Sequence, residues 1–195
     1  MTTIDPLACA LFLIAAFILA GVVHSAWLAS ALSRNFSHPI DAGLRFHGRR
    51  LFGDNKMVRG FVVMVPAAGL SFWALAALLD VTAPALRATL WPHTNTQLAL
   101  LGTWAGLGFM LGELPNSFVK RQFDIVPGAP PSGRVAGVVS FIADRLDSIV
   151  GMLIAISIAT YTPWLTWVYV LTIGPAVHLC FSVLLYRLGV KARAA

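Results

Sequence analysis

From Pro6 to Ser33 the chain carries no Asp, Glu, Lys or Arg. A helix of about 20 such residues crosses the hydrocarbon of a bilayer, and a helix apolar on every side finds no cover in water. The stretch predicts a membrane-spanning helix over residues 7–32. A cleaved signal peptide would place Lys or Arg ahead of a shorter apolar core. Met1 to Asp5 offers only an acid, so this helix is expected to be retained.

The same ruler finds four more spans, over residues 61–79, 97–114, 135–161 and 164–188. Pro84 and Pro92 break the loop after the second span, Pro163 turns the chain between the last two, and Gly174-Pro175 predicts a kink. The expected fold class is an all-α integral membrane protein of about five transmembrane helices with two polar loops, one membrane-embedded domain over residues 1–195. Composition agrees: 58% of residues are hydrophobic and 11% charged, against roughly a quarter charged in soluble domains. Cys9 and Cys180 sit in apolar runs with no metal-ligand spacing and read as packing residues. Trp91, Tyr161, Trp164 and Trp167 suit an aromatic belt at one interface. Gly102 and Gly106 have the small-xxx-small spacing that lets helices approach closely.

The net charge of +6 does not point to nucleic acid, because the cations lie in loops that flank apolar runs. Arg34, Arg45, Arg49, Arg50, Lys56 and Arg59 fall in the first polar loop, Lys120, Arg121, Arg134 and Arg145 around the second, and Arg187, Lys191 and Arg193 in the tail. Five spans put all of these on one side and only Arg87 on the other. The positive-inside bias then places the N-terminus outside and the C-terminus in the cytoplasm, in a multi-pass protein of the cytoplasmic (inner) membrane. The expected partner is the lipid bilayer, with no nucleic acid.

Ionisable groups at the edge of hydrocarbon are costly unless a wet cavity, a partner or a ligand compensates them. Asp144 and Asp147 are three apart on the fourth predicted helix, hence on one face, and Asp144 lies about 15 Å along it at 1.5 Å per residue. Two such carboxylates resist joint ionisation. A hard divalent cation such as Mg²⁺ resolves the conflict, since it binds through one or two carboxylates plus substrate phosphates, and Glu113 would add a ligand. The competing reading is a solvated helix end with Asp147 paired to Arg121 or Arg145. Ser117, Lys120 and Arg121, placed after a helix-breaking Pro115, would cradle phosphate, or else anchor anionic headgroups. The first loop joins glycines at 43, 48, 53 and 60 to Arg45, Arg49, Arg50, Lys56 and Arg59, which favours phosphate binding over simple anchoring, although no GxxxxGK(S/T) motif is present. His24 and His178 read as packing residues in apolar helices, and His93 lies in the opposite loop. No GxSxG, HExxH or nucleophile-and-base pair supports hydrolysis.

In these residues the chain resembles the CDP-archaeol synthase family, membrane cytidylyltransferases related to the bacterial CDP-diacylglycerol synthases. The likeness rests on Gly48-Arg-Arg-Leu-Phe-Gly-Asp-Asn-Lys56 with Arg59-Gly60, on Ser117-Phe-Val-Lys-Arg121, on Pro127-Gly-Ala129 and on Asp144-Arg-Leu-Asp147, in that order between the predicted spans. It implies CTP as one substrate, a membrane lipid phosphate as the other, and Mg²⁺ as cofactor. Catalysis would fall to Asp144, Asp147 and Lys120. The substrate would be bound by Arg49, Gly53, Asp54, Asn55, Lys56, Arg59, Ser117 and Arg121, and the metal by Glu113, Asp144 and Asp147. The chain departs from the archaeal pattern at Asn55 and Met57 (Gly and Thr there), at Glu113 (Asp) and at Arg145 (Gln), the last as in the bacterial enzymes, which leaves isoprenoid ether and acyl ester lipids both open. A CTP-dependent polyprenol kinase and a non-catalytic lipid-binding or transport protein are the alternatives.

Overall fold

The computed structural model describes residues 4–127, 129 and 133–189. Five long helices make the fold: α1 (Pro6–Ala29), α2 (Val58–Thr82), α4 (Asn95–Gln122), α5 (Arg134–Ala159) and α6 (Trp164–Arg187), with a short α3 (Pro84–Arg87). Four of them, α1, α2, α4 and α6, are long and apolar enough to cross a membrane. The remaining one, α5, is equally long, but it carries Arg134, Asp144, Arg145 and Asp147. The chain is an integral membrane protein, as the sequence predicts.

Local chemistry sets the helix starts. Asp5 caps α1 by accepting from the Ala8 amide at 2.7 Å, and Pro6 takes the first position, where no amide donor is needed. Thr94 and Gln97 form a reciprocal capping box at the head of α4. Trp91, expected in an interfacial belt, is instead wholly buried, and its indole donates to the Tyr161 carbonyl at 2.8 Å. It pins the α3–α4 connection beneath the α5–α6 turn, and Tyr161 and Trp164 are the aromatic rings left exposed there.

Glycines decide how the helices meet. A Cβ on Gly102 would lie 2.7 Å from the Ala68 carbonyl oxygen, and one on Gly106 would lie 3.1 Å from that of Met64, so this predicted pair seats α4 on α2. A second glycine face seats α4 on α5. There a Cβ on Gly112 would lie 2.3 Å from the Asp147 carbonyl oxygen, and one on Gly151 2.3 Å from that of Gly108. Backbones this close exclude any side chain. By contrast α6 rests on α1 and α5 and scarcely meets α2 or α4, which leaves space inside the bundle.

A further sequence expectation changes. Pro115 does not end its helix: α4 continues to Gln122. The proline is exposed, and the cost of its missing hydrogen bond is offset by the glycine seam before it and by polar contacts to α5 after it. The first polar loop is also more ordered than a run of glycines and cations implies. Arg45–Phe46 (β1) and Arg49–Arg50 (β2) pair antiparallel across a tight turn in which His47 and Gly48 both have positive φ. At the base, Ile40 donates to the Lys56 carbonyl and Val58 to the His38 carbonyl, both at 2.9 Å.

Candidate active site

Because α4 runs on past Pro115, Glu113, Asn116, Ser117 and Lys120 recur at three- and four-residue spacing and share a face. Asp144, Asp147 and Ser148 form the matching face of α5. The glycine seam presses the two faces together. The Asn116 side-chain amide donates to Asp144 Oδ1 at 2.6 Å and to Asp147 Oδ2 at 3.0 Å, so two carboxylates converge on one nitrogen. Lys120 pairs with Asp144, and Lys56 reaches in from the first loop to pair with Glu113. The Ser148 hydroxyl donates to Glu113 Oε1 at 2.8 Å. Burial works against the Lys56 ammonium, but the Glu113 carboxylate, with Asp147 and Asp144 behind it, holds its pKa above the ordinary lysine value.

The loop that delivers Lys56 is built on Asp41. This carboxylate is buried at 2% exposure and accepts from Arg50 Nη2 at 2.6 Å and from the amides of Phe52 at 3.0 Å and of Gly53 and Gly43 at 3.1 Å. Burial alone would raise its pKa. The Arg50 guanidinium and these three amides outweigh burial and hold the carboxyl well below the usual carboxylate range. Gly53, at φ +89°, rests against Pro127 and the Arg121 side chain, and a Cβ there would lie 3.0 Å from the proline ring.

These residues open onto a cavity of about 770 Å³. Of the residues expected to bind or react, Asn55, Lys56, Arg59, Glu113, Ser117, Lys120, Arg121, Asp144 and Asp147 all line it. Gly53 lies behind Arg121, in support. Arg49 and Asp54 point elsewhere: Arg49 is paired with Asp124 through two bonds of 2.6 and 2.8 Å, and Asp54 with Arg50 at 2.7 Å. From this charged end the cavity continues between α1 and α6 over Leu13, Phe17, Met152, Val170 and Phe181.

Two further points separate the structure from the sequence reading. Neither arginine proposed as a partner for Asp147 contacts it; its Oδ2 accepts from Asn116 and its Oδ1 from the Ser148 amide. Arg121 is buried, with Nε and Nη1 unpartnered among the described residues. A buried guanidinium lacking an acceptor is costly, and an anionic ligand would relieve that cost. The sequence reading assigned no role to Asn116, Ser148 or Asp41. For the first two, the helical spacing to Glu113, Lys120 and Asp144 was the available signal; Asp41 had none, because its partners come together only when the loop closes.

Among the described residues no three His, Cys, Asp or Glu side chains gather into a ready-made metal cage. The convergence of Asp144 and Asp147 on the Asn116 amide nonetheless fits a Mg²⁺-like ion, which takes one or two carboxylates and completes its shell with water and phosphate. Glu113 is turned toward Lys56 and Ser148.

A family model described as CarS-like, CDP-archaeol synthase, matches residues 9–194. Two CDP-archaeol synthases illustrate the likeness. That of Halobacterium salinarum is 36% identical, over 78% of this chain and 81% of its own length. That of Methanoculleus marisnigri is 34% identical, over 78% and 87%. A solved intramembrane enzyme for archaeal membrane lipids biosynthesis superposes with a TM-score of 0.57 at 24% identity, over 88% of this chain and 91% of that one, a likeness of fold.

Proposed function

Because the chain belongs to the CDP-archaeol synthase family, we propose that it transfers CMP from CTP to a membrane lipid phosphate, giving a CDP-lipid and pyrophosphate. The carrying observation is that one cavity has a charged end holding Lys56, Lys120, Arg121, Asp144 and Asp147 and an apolar end lined by α1 and α6 residues. A polyanion and a hydrocarbon chain have to meet, and this space suits both. An oxygen of the lipid phosphate attacks the α-phosphorus of CTP, the new P–O bond forms, and the bond to the β-phosphate breaks with pyrophosphate as leaving group. The nucleophile is already ionised, so no general base is needed, in keeping with the absence of a nucleophile-and-base pair.

Positioning and charge neutralisation then carry the reaction. Lys120 and Arg121 hold phosphate oxygens, Ser117 donates a hydrogen bond, and Asn55 and Lys56 of the loop, with Arg59 at the start of α2, close on the nucleotide. Asp144 and Asp147 would hold Mg²⁺, which when bound would neutralise charge on the phosphates. The cationic ends of the helices face the cytoplasm, where CTP is found, and the N-terminus lies outside.

The test uses detergent-purified protein with Mg²⁺ and CTP labelled at the α- or the γ-phosphate. Dioleoyl phosphatidic acid and digeranylgeranylglyceryl phosphate serve as alternative acceptors. The α-label should enter one of the lipids with stoichiometric pyrophosphate. Transfer of the γ-label alone would replace this reading with a lipid kinase, and transfer of neither would refute both.

A further inference from the structure

The cavity has a second buried arginine that the reaction described above does not use. Arg145 is 8% exposed and lines the space. Its Nη1 donates at 2.7 Å to the Phe141 carbonyl in its own helix, and its Nε has no partner among the described residues. The guanidinium carbon lies 3.3 Å from the centroid of the Phe141 ring. Its neighbour Asp144 is occupied by Lys120 and Asn116 and forms no ion pair with it. The arginine is therefore a desolvated cation held by an aromatic face, with donors left over in its plane.

Its place along α5 is informative. Phe141, Arg145, Ile149 and Met152 recur at helical spacing and all line the cavity, whereas Asp144, Asp147 and Ser148 turn toward α4. Arg145 thus stands at the boundary where the charged end gives way to Ile149, Met152 and the α6 residues Val170 and Val177. Arg121 stands on the other side, against Gly53 and Pro127 of the loops. Two unpaired guanidinium groups, one beside the loops and one beside the hydrocarbon lining, suit two different anions.

We propose that Arg145 binds the phosphate of the acceptor lipid, at a subsite separate from the one that Arg121 offers the nucleotide. This deepens the cytidylyltransferase reading and rests on it for the identity of the ligand. The Phe141 ring covers one face of the guanidinium, so the free in-plane donors meet the phosphate as it sits at the head of its chains. A neutral lipid of the same hydrocarbon gains nothing from that contact.

The experiment measures thermal unfolding of the full chain in detergent, with digeranylgeranylglyceryl phosphate or with digeranylgeranylglycerol, which lacks the phosphate. The wild-type protein should be stabilised more by the phosphate. Arg145→Met should lose that difference and Arg121→Gln should keep it. In turnover, Arg145→Met should raise KM for the lipid about 10- to 100-fold, the range for a lost hydrogen bond to a charged group, with KM for CTP little changed. Arg145→Lys keeps the charge without the planar fork and carries the test if the methionine variant fails to fold; it should show a reduced phosphate-dependent shift. A full wild-type shift in either Arg145 variant overturns the proposal, as does a wild-type protein that does not distinguish the two lipids. A phosphate-dependent shift without any turnover in the wild type would remove the cytidylyltransferase reading and leave the subsite standing.

Discussion

Gly112→Ala tests the claim that the glycine seam assembles the site. In an ordinary helix this substitution is favourable by about 0.5–1 kcal/mol. Here the new Cβ would lie 2.3 Å from the Asp147 carbonyl oxygen and 3.0 Å from the Gly151 Cα, both backbone atoms that no rotamer change can move. Restoring ordinary contact at about 3.4 Å forces α4 and α5 apart by roughly 1 Å, because overpacked atoms are relieved only by backbone movement. The expected cost is about 1–3 kcal/mol of stability. The functional cost should be larger, since the shift occurs where Asp147 meets Asn116, and a misplacement of about 1 Å can lower a rate about 100-fold. The assay combines SDS-titrated unfolding in mixed micelles with turnover of α-labelled CTP. Gly137→Ala is the stability comparison, because a Cβ there meets nothing within 4 Å, and it should be neutral or slightly stabilising. A Gly112→Ala protein as stable and as active as the wild type would refute the seam.

Asp147→Asn should abolish turnover, at least about 100-fold, while the protein elutes from a sizing column in detergent as the wild type does; near-normal activity would remove Asp147 from the chemistry. Trp91→Ala deletes a wholly buried side chain and its bond to Tyr161 and should cost about 3–5 kcal/mol in thermal or SDS unfolding. Asp41→Asn should speed proteolytic cleavage within residues 39–57 by about tenfold, as expected for loss of a charge-assisted bond, with the helices untouched. Because the folded Asp41 pKa is depressed, its contribution is complete above the unfolded carboxylate value of about 4 and is lost as pH falls below it. Cleavage of the wild-type loop should therefore stay slow at neutral pH and rise on acidification, and the Asn variant should lack that rise.

The helices were legible because bilayer thickness and apolar length are tightly coupled: residues 164–188 were expected and Trp164–Arg187 is found. Asp144 and Asp147 were legible because a three-residue spacing fixes a shared helix face whatever surrounds it. Pro115 misled because its effect depends on tertiary support, and the support comes from Gly151 and Asp147 on another helix. Trp91 misled for a similar reason, since an indole near a span end suits an interface or a buried carbonyl equally well. The roles of Arg49 and Lys56 could not be separated by sequence. Both are cations in one glycine-rich loop, yet the turn at His47-Gly48 leaves Arg49 on Asp124 while the strand-like return to Met57 brings Lys56 to Glu113.

The charge arrangement in the cavity argues for substrates that are anions on both sides. Lys56, Arg59, Lys120, Arg121 and Arg145 face three acids, Glu113, Asp144 and Asp147. The two lysines are paired with acids, whereas no arginine of the five cations forms an ion pair among the described residues. Unpaired charge in a low-dielectric space is expensive, and a site evolved only to hold a metal and three carboxylates would have no use for it. On the proposed reading, a triphosphate and a lipid phosphate would supply the missing negative charge, each at its own guanidinium, in the same cavity where Asp144 and Asp147 converge on Asn116.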